Sequence, residues 1–125
     1  MIVHFYNSTS TLQRKVVFHK EMDGIIDIAV QGAKLIKELT DSYDGDTNIR
    51  FEYSPESFSG TEMDNAVAIC DEVMKVLGST AENPVILNLP NTVEMCTPNT
   101  AVGAVFGDQV QRIGRVAQLL GHLAA

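Results

Sequence analysis

At 125 residues and 45% apolar composition, the chain has the length of one domain and the apolar content of a globular protein, which sets intrinsic disorder aside. A formal charge of −7, with 9 scattered Lys and Arg residues, excludes a nucleic-acid surface, because phosphate binding needs clustered cations. Apolar runs are too short to cross a bilayer and no basic-then-apolar leader opens the chain, so no membrane partner and a cytoplasmic location are expected.

The first element is a short strand, Ile2 to Tyr6, followed by the hydroxyl-rich Asn7-Ser8-Thr9-Ser10-Thr11 and a connecting stretch through Val16, Val17 and Phe18. From Asp23 to about Asp41, Ile25, Ile26, Ala29, Ala33, Ile36 and Leu39 recur at helical spacing, with Lys34, Lys37 and Glu38 opposite. A turn cluster, Asp41 to Asn48, leads to the second strand, Ile49 to Tyr53. Pro55 is expected to end that strand, since it has no N–H to donate. Ser59-Gly60-Thr61-Glu62 then offers a capping box for a helix through Met63, Ala66, Val67, Cys70, Val73, Met74 and Leu77. Gly78 is its expected left-handed cap.

Pro84 introduces a third strand, Val85 to Leu89, and Pro90 stops it. The polar loop Asn91 to Asn99 follows, and Thr100 to Ala125 reads as a divergent helix built on Val110, Ile113, Val116, Ala117 and Leu120. Strand, loop and helix thus recur at roughly forty-residue spacing, the pattern of a parallel β/α fold. Cys70 and Cys96 have no C-x-x-C spacing, so both are expected as reduced thiols, Cys70 as a core filler.

In parallel β/α units the carboxyl ends of the strands carry the chemistry, which places Ser54, Glu56, Ser57 and Ser59 where a site would be built. Alternation puts His4 on one strand face with Ile2 and Tyr6, and Val3 and Phe5 on the other. A lone strand His is more often a satisfied structural residue than a working one. Glu56 could take a proton or orient a hydroxyl; a solvated loop Glu is the bland alternative. Asn88, Pro90 and Thr92 alternate along the third strand and its exit and could face one pocket, or satisfy neighbouring backbone and cap a turn.

Three stretches sharpen this reading: H-F-Y-N-S-T-S-T-L-Q-R-K-V-V-F (His4 to Phe18), R-F-E-Y-S-P-E-S-F-S-G-T-E (Arg50 to Glu62) and N-L-P-N-T-V-E-M-C-T-P-N (Asn88 to Asn99). They resemble consecutive segments of the long-chain 2-isopropylmalate synthase family, metal-dependent Claisen-condensing enzymes built on a TIM barrel. The resemblance covers residues 1–99 and implies a partial (β/α)8 catalytic domain there, holding the fourth to sixth of eight strands, with 100–125 divergent. It implies the condensation of acetyl-CoA with 2-oxoisovalerate in leucine biosynthesis. Matching positions assign His4, Tyr6, Ser54, Asn88, Pro90 and Thr92 to the oxoacid pocket and Glu56 to catalysis.

The resemblance also implies a divalent metal, Mg, Mn or Zn, held by an Arg-Asp pair and a His-x-His. Neither motif occurs here: Arg50 is followed by Phe51, and the three His residues are far apart. The expectation is an internal piece of a larger enzyme that binds no metal tightly and is inactive alone. Unpaired sheet edges would drive it to a homo-oligomer. The alternative is a non-catalytic small α/β module that binds a ligand or self-associates.

Overall fold

The computed structural model describes residues 1–94 together with Thr97 and Asn99. The order is β1 (Ile2–Ser8), a single turn α1 (Thr11–Gln13) running into a π-helical turn (Arg14–Phe18), α2 (Met22–Asp41), β2 (Arg50–Glu56), a 3-10 turn (Phe58–Gly60), α3 (Met63–Leu77) and β3 (Ile86–Leu87). The three strands are parallel in the order β1-β2-β3. Ile2 pairs with Arg50 and Ser8 with Glu56, while β3 adds Ile86 beside Glu52 and Leu87 beside Tyr53.

Both helices lie on one face of this sheet. Val3 and Phe5 of β1, Phe51 and Tyr53 of β2, and Val85 and Leu87 from the β3 segment pack against Ile25, Ala29 and Ala33 of α2 and Ile69, Cys70, Val73 and Leu77 of α3. The small side chains of Ala29, Ala33 and Ala66 are all buried, which lets helix and sheet approach closely. Phe5 and Tyr53 are register partners, their rings 5.0 Å apart and tilted. Tyr53 is fully buried, and its O–H donates to Asn7 Oδ1 at 2.7 Å, so its one polar atom is satisfied. Burial raises the Tyr53 hydroxyl pKa well above its usual value, with Cys70 nearby adding to the effect, and the phenol stays neutral. Cys70 is a free, buried thiol whose pKa is pushed up to about 12, by burial first and the Asp71 charge second, which makes it an inert core filler. Cys96 lies outside the described residues.

Several expectations change. Pro55 does not end β2, which continues to Glu56 with Asn7 opposite Pro55. In a parallel strand alternate residues turn their backbone groups to opposite neighbours. Tyr53 accepts from Asn88 N–H on the β3 side, and Glu56 accepts from Thr9 N–H on the β1 side. The donor missing at Pro55 therefore faces β3, beyond the last laddered pair, and no ladder bond is lost.

The capping box at Ser59–Glu62 does not form either. The N-cap of α3 is Glu62, with no side-chain bond to the helix backbone, and Ser59 Oγ is buried without a partner among the described residues. Glu62 is instead drawn to Arg14, whose Nη2 donates to both carboxylate oxygens at 2.6 Å. A capping interaction does form at the unremarked Ser10-Thr11-Leu12-Gln13: Ser10 Oγ accepts from Gln13 N–H at 3.3 Å and donates to Gln13 Oε1 at 2.6 Å. The connecting stretch after it is thus helical, closed by His19 in the left-handed region with φ 50°. Gly78 is left-handed as expected, φ 70°. β3 is two residues long rather than five. The expected helix over 100–125 lies outside the described residues.

Candidate functional site

The sheet face turned away from the helices carries the alternate residues: His4, Tyr6 and Ser8 from β1, Glu52, Ser54 and Glu56 from β2, and Asn88 just past β3. Exposure alternates along β1 accordingly, with Ile2, His4 and Tyr6 open and Val3 and Phe5 partly covered. Period-two geometry thus collects the polar half of each strand on one surface.

Ser54 sits at its centre and is 3% exposed. Its Oγ lies 2.8 Å from His4 Nε2 and 2.9 Å from Asn88 Nδ2, so one hydroxyl joins β1, β2 and the residue that follows β3. The Asn88 amide nitrogen only donates, so Ser54 Oγ accepts there. The Ser54 hydrogen then either goes to His4 Nε2, fixing the Nδ1–H tautomer, or stays available to a ligand when His4 donates. Glu52 Oε1 is 4.0 Å from His4 Nε2, a favourable partner for the protonated ring. Tyr6 stands beside His4, ring centroids 6.3 Å apart, and is 65% exposed, so its ring is free to contact a bound molecule.

Glu56 ends β2. Ser8 Oγ donates to its Oε2 at 2.6 Å, a charge-assisted bond across the ladder. Thr9 N–H and Thr9 Oγ1 both donate to the Glu56 backbone oxygen at 3.1 Å. The next residue, Ser57, is buried in the left-handed region with φ 58°, a conformation that costs a non-glycine residue energy. It aims the Ser57 N–H at Thr92 Oγ1, 3.0 Å away, and Phe58 N–H reaches the Pro90 oxygen at 3.2 Å. Thr92 therefore holds the neighbouring loop, and its own hydroxyl hydrogen is not consumed by that bond.

A second layer ties the two loops together. Thr9 Oγ1 and Thr61 Oγ1 are 2.8 Å apart, Thr61 Oγ1 donates to the Ser57 oxygen, and the Arg14–Glu62 pair closes the outside. The Arg14 guanidinium, itself buried, holds the Glu62 carboxyl down at about 2, chiefly through its hydrogen bond. Ser57 falls where the strand-end reading places a site, whereas nothing in the sequence singles out Ser8, Thr9 or Arg14 for one. Their partners lie about fifty residues away, which no local pattern displays.

Among the described residues, no three His, Cys, Asp or Glu side chains stand close enough to hold a metal ion. A shallow groove between the C-terminal ends of α2 and α3, lined by Lys34, Lys37, Glu38, Asp41, Ser42 and Val76, lies at the opposite rim from these strand ends. No described helix is long and apolar enough to cross a membrane.

Residues 1–122 match the HMGL-like family. The chain belongs to the HMGL-like family. It is 56% identical over 110 residues to the 2-isopropylmalate synthase of Rhodospirillum rubrum, covering 88% of this chain and 19% of that protein. It is 52% identical over 114 residues to the 2-isopropylmalate synthase of an Arthrobacter species, covering 91% of this chain and 19% of the relative. The Agrobacterium fabrum 2-isopropylmalate synthase is 53% identical over 110 residues, 88% of this chain and 18% of that protein. The chain thus spans about a fifth of the length of the curated relatives it matches. For this HMGL-like chain the open parallel sheet is part of a TIM barrel, its polar face the inner one.

Proposed function

We propose that this chain forms the oxoacid-facing wall of a 2-isopropylmalate synthase, the enzyme that condenses acetyl-CoA with 2-oxoisovalerate. The observation that carries the reading is the Ser54 hydroxyl bridged to His4 and Asn88, one strand position before Pro55 and two before Glu56. In the reaction the acetyl methyl group loses a proton, the carbanion adds to the ketone carbon, the alkoxide formed takes a proton, and hydrolysis of the thioester frees CoA. Glu56 is the proton-handling carboxylate beside the oxoacid. Thr92 donates its hydroxyl to the oxoacid carboxylate, since its oxygen already accepts from Ser57. His4, Ser54 and Asn88 orient the polar end of the substrate, and Tyr6 and Pro90 shape the wall around its branched end.

The divalent cation used across the family finds no donor set among the described residues. The chemistry of this wall is accordingly binding, orientation and proton handling, and the 125-residue chain is proposed to turn over no substrate by itself. Titration with 2-oxoisovalerate, with and without a divalent ion, tests the reading. Binding at about 1 mM or tighter, weakened by Ser54→Ala and Thr92→Val, supports it; no heat or shift at that concentration counts against it.

A self-associating module is favoured by a different observation. Ile28, Leu35 and Leu39 leave an exposed apolar stripe on α2, at 36%, 57% and 61% exposure. Sedimentation that shows a concentration-dependent dimer together with no oxoacid binding would select this second reading.

A further inference from the structure

We infer that Ser8 is a positioning residue for Glu56, holding one carboxylate oxygen so that the other faces the reacting molecule. The inference deepens the proposed function and rests on it for the identity of that molecule. Ser8 and Glu56 are opposite one another at the last register position of the β1·β2 ladder. Their side chains fall on the same sheet face, and the Ser8 hydroxyl has its donor hydrogen committed to Glu56 Oε2 at 2.6 Å. A carboxylate side chain has three rotatable bonds, and ordering it on an open face needs an anchor. The anchor here is double. Thr9, the next residue, fixes the Glu56 backbone oxygen through both its N–H and its hydroxyl, while Ser8 fixes the tip of the side chain.

Ser8, the last residue of β1, and Thr9, which follows it, therefore pin Glu56 at Oε2 and at the backbone. Oε1 is the oxygen Ser8 leaves to act on a proton. The arrangement also explains the loop beneath it. Thr9 is fully buried, its Oγ1 2.8 Å from Thr61 Oγ1, so the anchor is set in the layer that joins the β1 and β2 loops. Ser8 needs only a hydroxyl on a β-branched or unbranched stem, and Thr meets that requirement in a strand.

The test uses the 125-residue chain with Glu56 selectively labelled, comparing parent, Ser8→Ala and Ser8→Thr by three-bond NMR couplings about the Glu56 side-chain torsions, without ligand. The parent is expected to hold one rotamer, Ser8→Ala to show averaged couplings, and Ser8→Thr to return to the parent values. The ring shifts of Phe5 and Tyr53, unchanged in all three, show that the sheet is intact. Couplings in Ser8→Ala equal to the parent's, with the sheet intact, overturn the inference. The same samples are then titrated with 2-oxoisovalerate: a parent that binds none of it counts against the oxoacid reading alone, since the rotamer result is obtained before ligand is added.

Discussion

The two faces of the sheet are made from the same three strands and share no chemistry. On the helix side, Phe51, Tyr53, Leu87, Val3 and Phe5 meet the apolar stripes of α2 and α3, and the polar groups of Tyr53 and Asn7 are paired, the Tyr53 hydroxyl donating to Asn7 Oδ1 and Asn7 Nδ2 to the Ile25 oxygen. On the other side, His4, Ser54, Glu56, Ser8 and Asn88 are joined by hydrogen bonds and stay partly open, apart from Ser54. Odd-numbered strand residues carry the fold; even-numbered ones carry the site. A one-residue slip of register would exchange them, which is why the apolar face, with its large burial term, also fixes the site geometry.

That contrast can be broken first where it is strongest. Ile69 is fully buried between helix and sheet, so Ile69→Ala should lower stability by about 2–5 kcal/mol in urea unfolding. A loss well below that range would mean that the helix-side core is looser than its burial indicates. Tyr53→Phe keeps the ring and leaves Asn7 Oδ1 without its donor, for an expected cost of about 1–2 kcal/mol. Ser54→Ala removes the central hydroxyl of the other face, whose partners His4 and Asn88 are exposed and can bond to water. It should cost less than about 1 kcal/mol in the same unfolding assay while weakening oxoacid binding. A stability loss like that of Ile69→Ala would erase the distinction between the faces.

The smallest effect concerns the outer clasp. Glu62 has its pKa lowered from 4.5 to about 2 by Arg14, and a depressed carboxyl contributes stability that is present above its unfolded value and lost as pH falls through the folded one. Stability should therefore decline between pH 4.5 and about 2, and Arg14→Met should flatten that part of the profile. Glu62 is half exposed, so solvent screening keeps the effect modest.

The sequence made the long-period features legible. The helix through Ile25, Ala29 and Ala33, the helix through Ala66, Val73 and Leu77, and the left-handed Gly78 all follow from spacing and from one residue's backbone freedom. Alternation also placed His4 with Tyr6 on one face. What it missed is local competition decided by distant partners. Ser59–Glu62 has the letters of a capping box, but a buried guanidinium offers Glu62 two oxygen contacts at 2.6 Å, and that interaction wins. Pro55 reads as a strand breaker until the side on which its donor is missing is known, which depends on where β3 stops. Ser8 looked like one hydroxyl among many in Asn7 to Thr11, and only the register reveals Glu56 opposite it.

The central claim is that the polar face works on a 2-oxoacid through Glu56. The most direct measurement places residues 1–94 in exchange for the matching stretch of the Rhodospirillum rubrum relative and follows CoA release from acetyl-CoA and 2-oxoisovalerate, with and without Glu56→Gln. An active exchange whose rate falls by about 10²–10⁴ on Glu56→Gln is the predicted result. Turnover by the Glu56→Gln form at the rate of its unsubstituted counterpart would contradict the account.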